Sequence, residues 1–516
     1  MRIRPLRFSI VLLAALTLLA STGYSDVKLP AVLSDHMVLQ QQQPVPIWGT
    51  ADPGEQVTVT FGTQKQTTTA DASGKWKVAL QPLRASAQPA ELTVAGKNSV
   101  KLEDILVGEV WVCSGQSNME FAMRTVKNSE EEIAAANNPM IRLFTVPKWV
   151  QEKPQSDIKP NRRQNEGKWE ACTPETIPNF TAVGYFFGRD IQKSLRVPVG
   201  LIHTSWGGTP AESWTADSYL QNDPEFKPIL ERRERAPADY RKALAAWEKQ
   251  AERDKAANKP EPRKPAAPES NPNLASVLYN GMIAPIVPYA IRGSTWYQGE
   301  SNAGRAYQYR KLLPAMIKSW RDAWGEPTMS FMIVSLANYQ NPPKKPGDSE
   351  WAELREAQTM TANMPYNGQA LAIDLADADD PNNIHPKNKQ DVGHRLAYVA
   401  LAKAYGQSIE YAGPEYESFK IEKDAIRVLF KHAEGMKVRG ESVKGFQIAG
   451  DDHEWHWADA RIDKASVVVF SAEVPKPVAV RYDWANNPQG NLYNRAGLPM
   501  VPFRTDKWPG VTEKNK

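Results

Sequence analysis

Between residues 27 and 107, apolar side chains recur at every second position in short runs: Val45-Pro46-Ile47-Trp48-Gly49, Val57-Thr58-Val59-Thr60-Phe61 and Trp76-Lys77-Val78-Ala79-Leu80. A period of two places alternate residues on one face of a strand. Asp52-Pro53-Gly54 and Asp71-Ala72-Ser73-Gly74 provide turns between the runs. Pro44 and Pro46 confine the first run to a sheet edge. The spacing predicts an N-terminal β-sandwich over 26–106. Beyond it, strand-like runs at 109–113, 199–203, 291–296 and 330–334 alternate with helical periodicity at 183–195, 307–324 and 392–405. That alternation predicts an α/β domain with a mostly parallel sheet covered by helices. Its two parts, 107–225 and 276–405, are separated by a densely charged insertion at 226–275, read as a solvated helix or helical hairpin with a loose return through 260–272. Alternation resumes at 425–430, 445–449, 466–470 and 478–482, predicting a C-terminal β domain over 406–516. No repeat of fixed period is visible.

The length, 516 residues, suits about three domains. Residues 1–25 differ from the rest. Arg2, Arg4 and Arg7 precede an apolar run at 8–20, and small residues follow at Ser21, Gly23 and Ser25. This is the pattern of a signal peptide, so the chain is expected to be secreted or periplasmic. The run is short for a membrane span, and none is expected in the mature chain. Lys and Arg number 63 against 59 Asp and Glu, and three of the excess positive charges belong to the leader. The near-neutral remainder has no electrostatic footprint for nucleic acid. Two cysteines, Cys113 and Cys172, make neither a disulfide framework nor a zinc site. One bridge and two buried thiols both remain open. The 16 Trp imply large cores or flat surfaces that stack on sugars. Oligomeric state is not set by the sequence.

Three segments carry candidate chemistry. The run Val110-Trp111-Val112-Cys113 passes directly into Ser114-Gly115-Gln116-Ser117-Asn118-Met119-Glu120. A serine on a glycine turn at the end of a parallel strand sits where open α/β sheets place their sites, with its own N–H available to an oxyanion. An ordinary helix cap has the same residues. Trp296-Tyr297-Gln298-Gly299-Glu300-Ser301-Asn302 also leaves a strand end, and Ile384-His385-Pro386-Lys387-Asn388-Lys389 precedes a helix. Pro386 makes that entry rigid and aims His385.

Together, Gly-Gln-Ser-Asn-Met at 115–119, Trp-Tyr-Gln-Gly-Glu-Ser-Asn at 296–302 and Ile-His-Pro-Lys at 384–387 resemble the sialate O-acetylesterases. These are carbohydrate esterases of the SGNH hydrolase superfamily. Ser-Trp-Gly-Gly-Thr-Pro at 205–210 resembles the family's glycine block. The resemblance implies an SGNH-type three-layer α/β/α catalytic domain flanked by β-sandwich-like domains, acting on O-acetylated carbohydrate without metal or organic cofactor. It makes Ser117 the nucleophile and His385 the base. The Ser117 N–H, the Gly208 N–H and the Asn302 amide become oxyanion donors, and Gly207 can exchange with Gly208. The superfamily commonly has Asp three residues before the histidine, where this chain has Asn382. Glu300 is then the expected orienting acid, with Asp380 next and a Ser–His dyad assisted by a backbone carbonyl third.

Trp206, Trp214, Trp296 and Tyr297 are candidate stacking surfaces, with core packing as the alternative. Arg305 is the candidate partner for a sugar carboxylate, or a plain surface residue. Acetylated sialic acid, acetylxylan and other plant glycans all fit these residues. Of the seven His, His203 is the one rival base. Asp451-Asp452-His453-Glu454-Trp455-His456 has ligand-type residues, but a solvated loop is the simpler reading. Two other functions compete: a glycosidase using Glu300 with a carboxylate among Asp374, Asp377, Asp379 and Asp380, and a non-catalytic carbohydrate-binding protein.

Overall fold

The computed structural model describes residues 26–159, 167–377 and 379–516. The signal-peptide assignment at 1–25 lies outside the described residues. Seven strands build the central sheet: β1 (Ser99–Gly115), β2 (Asn138–Thr145), β3 (Trp169–Cys172), β4 (Val199–Ser205), β5 (Gly293–Tyr297), β6 (Ser330–Val334) and β7 (Asn367–Ala370). Their order is β7-β6-β5-β1-β4-β2-β3. Every neighbouring pair is parallel except β2 with β3.

Four helices cover the sheet: α1 (Ala182–Leu195), α3 (Ala306–Trp324), α4 (Glu350–Ala362) and α5 (Lys389–Lys403); α2 (Lys227–Ala256) lies between α1 and α3 in the chain. The apolar runs of β4, β5 and β6 are continuous because both faces are buried. Val110, Val112, Trp296 and Ile333 pack into one core with α3 and α4. Trp111, Cys113, Tyr297 and Met332 pack into another with α1 and α5. Side-chain caps start three of the helices: Thr181 accepts from the Gly184 N–H, Ser349 from Ala352 and Asn388 from Asp391.

The charged insertion is one helix of 30 residues, α2, rather than a hairpin. Only Ile229 is buried along it, so nothing apolar is left for a second helix to cover. The return segment is tied down where the Trp247 indole donates to the Pro262 carbonyl at 2.8 Å. The strand Val45–Thr50, which contains Pro46, pairs with the strand Lys75–Leu80, and its last residue also bridges Lys28. At the other end of the chain, two four-stranded sheets share a core that includes Ile426, Val428, Phe446, Ile448, Val467 and Val480.

The N-terminal strands and the central sheet share one strand. Leu106, Val107 and Gly108 pair in parallel with Val38, Leu39 and Gln40, while Glu109 to Gly115 pair with Val199 to Ser205. β1 therefore runs through residue 106 without a break. On the C-terminal side, the buried Arg355 guanidinium donates to the carbonyls of Leu336, Ala337, Ala485 and Asn486. Cys113 and Cys172 are both free and buried. Burial pushes each thiol up to about 12. No helix among the described residues is long and apolar enough to cross a membrane.

Candidate active site

β1 delivers a serine to the C-terminal edge of the sheet. Its last residue, Gly115, has φ 142°, and a Cβ there would lie 2.2 Å from the Tyr297 carbonyl oxygen. Glycine alone permits this approach to β5. Gln116 then fastens the turn: its N–H donates to the Tyr297 carbonyl at 3.0 Å, and its side-chain oxygen accepts from the Ser301 N–H at 3.3 Å. Ser117 opens the short helix Ser117–Glu120, where its N–H has no intrahelical acceptor.

The loop before α5 brings His385 onto this serine, with Nε2 2.7 Å from Ser117 Oγ. The His385 N–H donates to Asn383 Oδ1 at 3.0 Å, and Asn383 donates to Asp377 at 2.9 Å. Burial pushes the imidazole pKa below its usual value, and the Lys389 charge adds to the shift. The neutral ring is the form that accepts a proton.

Glu300 does not hold His385. Its Oε1 accepts from Asn118 Nδ2 at 2.7 Å, and Oε2 is buried with no side-chain partner among the described residues. The expectation of a direct Glu300–His385 bond is thereby corrected: the carboxylate reaches the side chain that follows the serine instead. Burial raises the Glu300 pKa. Asp380 and Asn382 are exposed and make no side-chain bond to His385. Asp374 is committed to Arg395 at 2.6 Å and 2.9 Å. Among the described residues, no hydrogen-bond partner stands at His385 Nδ1.

The glycine block follows β4. The Gly207 N–H donates to Glu120 Oε2 at 2.6 Å and is thus occupied. Gly208 has φ 76°, and its N–H has no acceptor among the described residues. Of the two glycines that the sequence left interchangeable, only Gly207 has its N–H bound to a side chain among the described residues. Asn302 is buried. Its oxygen accepts from the Ala211 N–H at 2.9 Å and Gln298 Nε2 at 2.7 Å, and its nitrogen donates to Glu212 at 2.9 Å. One amide N–H remains, since a primary amide carries two.

Three expected stacking surfaces are corrected. Trp214, Trp296 and Tyr297 are fully buried. Trp296 packs edge-on against Trp214 and Trp320, with ring centroids 6.2 Å and 6.0 Å away. A strand covered on both faces leaves its side chains no route to a sugar. Trp206 is partly exposed, with Lys148 Nζ 5.3 Å above its ring. Arg305 is also spent, because it donates to the buried Glu212 at 2.7 Å.

Beside the serine helix lies a cavity of about 590 Å³ lined by Glu120, Lys148, Glu170, His203 and Ser205 among others. His203 is 2.5 Å from Ser205 Oγ, and burial pushes its pKa down to about 4. It makes no bond to Ser117, which leaves His385 as the imidazole on the serine. In the C-terminal region His453 stacks on Trp508, and His456, within the strand Trp455–Trp457, bonds Glu473. No group of three or more His, Cys, Asp or Glu among the described residues is placed to hold a metal.

Four residues at the site had drawn no role from the sequence: Asn118, Glu120, Glu212 and Lys389. The first two lie within the serine motif and are visible there as polar residues flanking Met119. Glu212 and Lys389 are buried charges, and sequence alone reads such residues as surface.

A serine at the end of a parallel strand, with an imidazole on its hydroxyl, is the arrangement of an α/β enzyme that transfers acyl groups through serine. The sequence pattern of the family described as "Carbohydrate esterase, sialic acid-specific acetylesterase" matches residues 107–260 and 271–402, and the chain belongs to that family. It is 29% identical to the sialate O-acetylesterase of Mus musculus over 96% of this chain and 97% of that one. Identity to the Homo sapiens sialate O-acetylesterase is 28% over 93% of each. A solved carbohydrate acetylesterase from Xanthomonas citri is 37% identical, with a TM-score of 0.79 over 93% of this chain and all of that one. Carboxylic ester hydrolysis therefore replaces the glycosidase and binding-only alternatives.

Proposed function

We propose that this protein is an exported serine esterase of SGNH type that removes O-acetyl groups from carbohydrate, sialic acid foremost. The 2.7 Å contact between His385 Nε2 and Ser117 Oγ carries the reading. As Ser117 Oγ bonds to the acetyl carbonyl carbon, its proton passes to His385. The oxyanion is met by the N–H groups of Ser117 and Gly208 and by the remaining Asn302 amide N–H. The carbonyl–sugar C–O bond then breaks, and His385 returns the proton to the sugar oxygen. Water attacks the acetyl-enzyme with His385 again as base, releasing acetate and restoring Ser117. No metal or cofactor enters these steps.

The names of the relatives support sialic acid. A neutral glycan such as acetylxylan is favoured by a different observation. Arg305 is already paired with Glu212, and in the cavity Lys148 is bonded to Glu120 and Lys168 to Glu170. A carboxylated sugar would have to displace one of these ion pairs or draw on Arg124, which lines the same cavity and donates to the neutral Asn179. The deciding experiment measures acetate released from acetylated sialic acid and from acetylxylan by the wild type and by S117A. Sialate turnover at least tenfold above xylan supports the first reading, and the reverse ratio the second. Activity retained by S117A excludes the serine mechanism.

A further inference from the structure

Lys389 has the burial of a core residue. It is fully buried at the first position of α5, and its ammonium lies 4.8 Å from the Phe121 ring centroid and 5.4 Å from that of Tyr297. Among the described residues its one side-chain hydrogen bond goes to Asn118 Oδ1 at 2.5 Å. The nitrogen of the same amide donates to Glu300 Oε1 at 2.7 Å and to the Ile384 carbonyl at 3.0 Å. Ile384 is the residue before His385, and Asn118 is the residue after Ser117. One amide thus joins the two chain segments that carry the serine and the imidazole.

The two ends of an amide are nearly the same size, so its hydrogen-bond partners decide which way it points. Here the reversed orientation would set its NH2 against the Lys389 ammonium and its oxygen against the Glu300 carboxylate. The cation and the anion therefore select the one orientation that offers an N–H to the Ile384 carbonyl. We propose that Lys389 is a positioning residue: acting through Asn118, it locks the His385 loop to the serine turn and holds a positive charge beside the imidazole.

The charged groups around His385 are Lys389 at the start of α5, Glu300 on the loop after β5, Asp377 and Lys387 in its own loop, and Glu120 on the serine helix. Of these, Lys389 acts on the imidazole to disfavour its protonation. Burial pushes Lys389 itself down to about 7, opposed by Glu300 and Asp377. With that charge present, the imidazole stays available as a base to lower pH. Removing it makes the imidazolium easier to form, so the acid side of the activity profile moves upward in pH.

The proposal rests on His385 being the general base, and the experiment separates the two claims. The pH dependence of kcat/KM on 4-nitrophenyl acetate is measured for the wild type, H385A, K389Q, K389M and K389R, with thermal unfolding of each. K389Q retains an N–H donor for Asn118 without the charge, so it is expected to fold and to shift the acid limb upward. K389M loses the donor as well, and kcat falls by about 10- to 100-fold with KM for this small ester little changed. K389R is expected to restore the wild-type limb. Activity retained by H385A would defeat the underlying reading. An inactive H385A with an unmoved limb in K389Q would defeat the proposal alone, whether or not K389M folds. An upward limb that K389R does not restore assigns the shift to packing rather than charge and also overturns it.

Discussion

Replacing Gly208 by alanine tests the oxyanion assignment with little steric confusion. No heavy atom lies within 4 Å of the position its Cβ would take, so the methyl has room. The cost is backbone conformation: φ is 76°, where an L residue is disfavoured by about 1–2 kcal/mol. A 516-residue protein absorbs that with a melting shift of at most a few degrees. Relief of the strain requires rotating the peptide that carries the Gly208 N–H. Loss of one such donor costs about 2.7–4 kcal/mol of transition-state stabilisation, or 10²- to 10³-fold in kcat. We therefore expect G208A to unfold near the wild-type temperature, with kcat on 4-nitrophenyl acetate down about 100-fold and KM within about threefold. The Gly207 N–H is bound to Glu120, so it cannot stand in for the lost donor. A stable G208A with wild-type kcat would refute the assignment.

Four further outcomes follow from the same structure. E300Q keeps an oxygen for Asn118, and its turnover should fall less than tenfold, against about 10⁴-fold for loss of a true triad acid; a collapse on that scale would return Glu300 to His385. Since His385 is depressed below its usual 6.5, kcat/KM should hold down to that pH and decline only as the imidazole protonates beneath it; a profile with its acid midpoint at or above 6.5 would contradict this. Cys113 and Cys172, buried and pushed up to about 12, should resist a thiol reagent at pH 8 in the native protein and both react in denaturant. R355M strands the carbonyls of Leu336, Ala337, Ala485 and Asn486 and should cost about 3–5 kcal/mol, read from the urea midpoint.

Where burial follows hydrophobicity, the chain pattern locates the elements well. The run at 330–334 is β6, the period at 307–324 is α3 short of one residue, and 466–470 is a strand over the same residues. Helix α4 escaped because its buried face carries Glu353, Arg355 and Gln358, whose partners are carbonyls and backbone N–H groups distant in sequence. No apolar period marks such a face. The site divides in the same way. Ser117 and His385 stand in contiguous motifs, and the structure brings the two side chains into contact. Trp296 and Tyr297 have the composition of a sugar platform, but their strand is covered on both sides. The use of Asn118 as the link between Glu300, Lys389 and the His385 loop depends on segments more than 180 residues apart. Only the folded sheet brings them together.

The uninterrupted course of β1 also governs how substrate can reach the serine. Every backbone segment around residue 106 is committed to a ladder, first with Val38–Gln40 and then with β4. A hinge there would have to break sheet hydrogen bonds, so the N-terminal strands cannot swing as a lid over the catalytic edge. The surroundings of the serine are set instead by the loops that leave the strand ends, carrying Gly208, Asn302 and His385. An engineer seeking a wider substrate range should therefore vary those loops, and should expect a graft or truncation at residue 106 to cut the support from under Ser117.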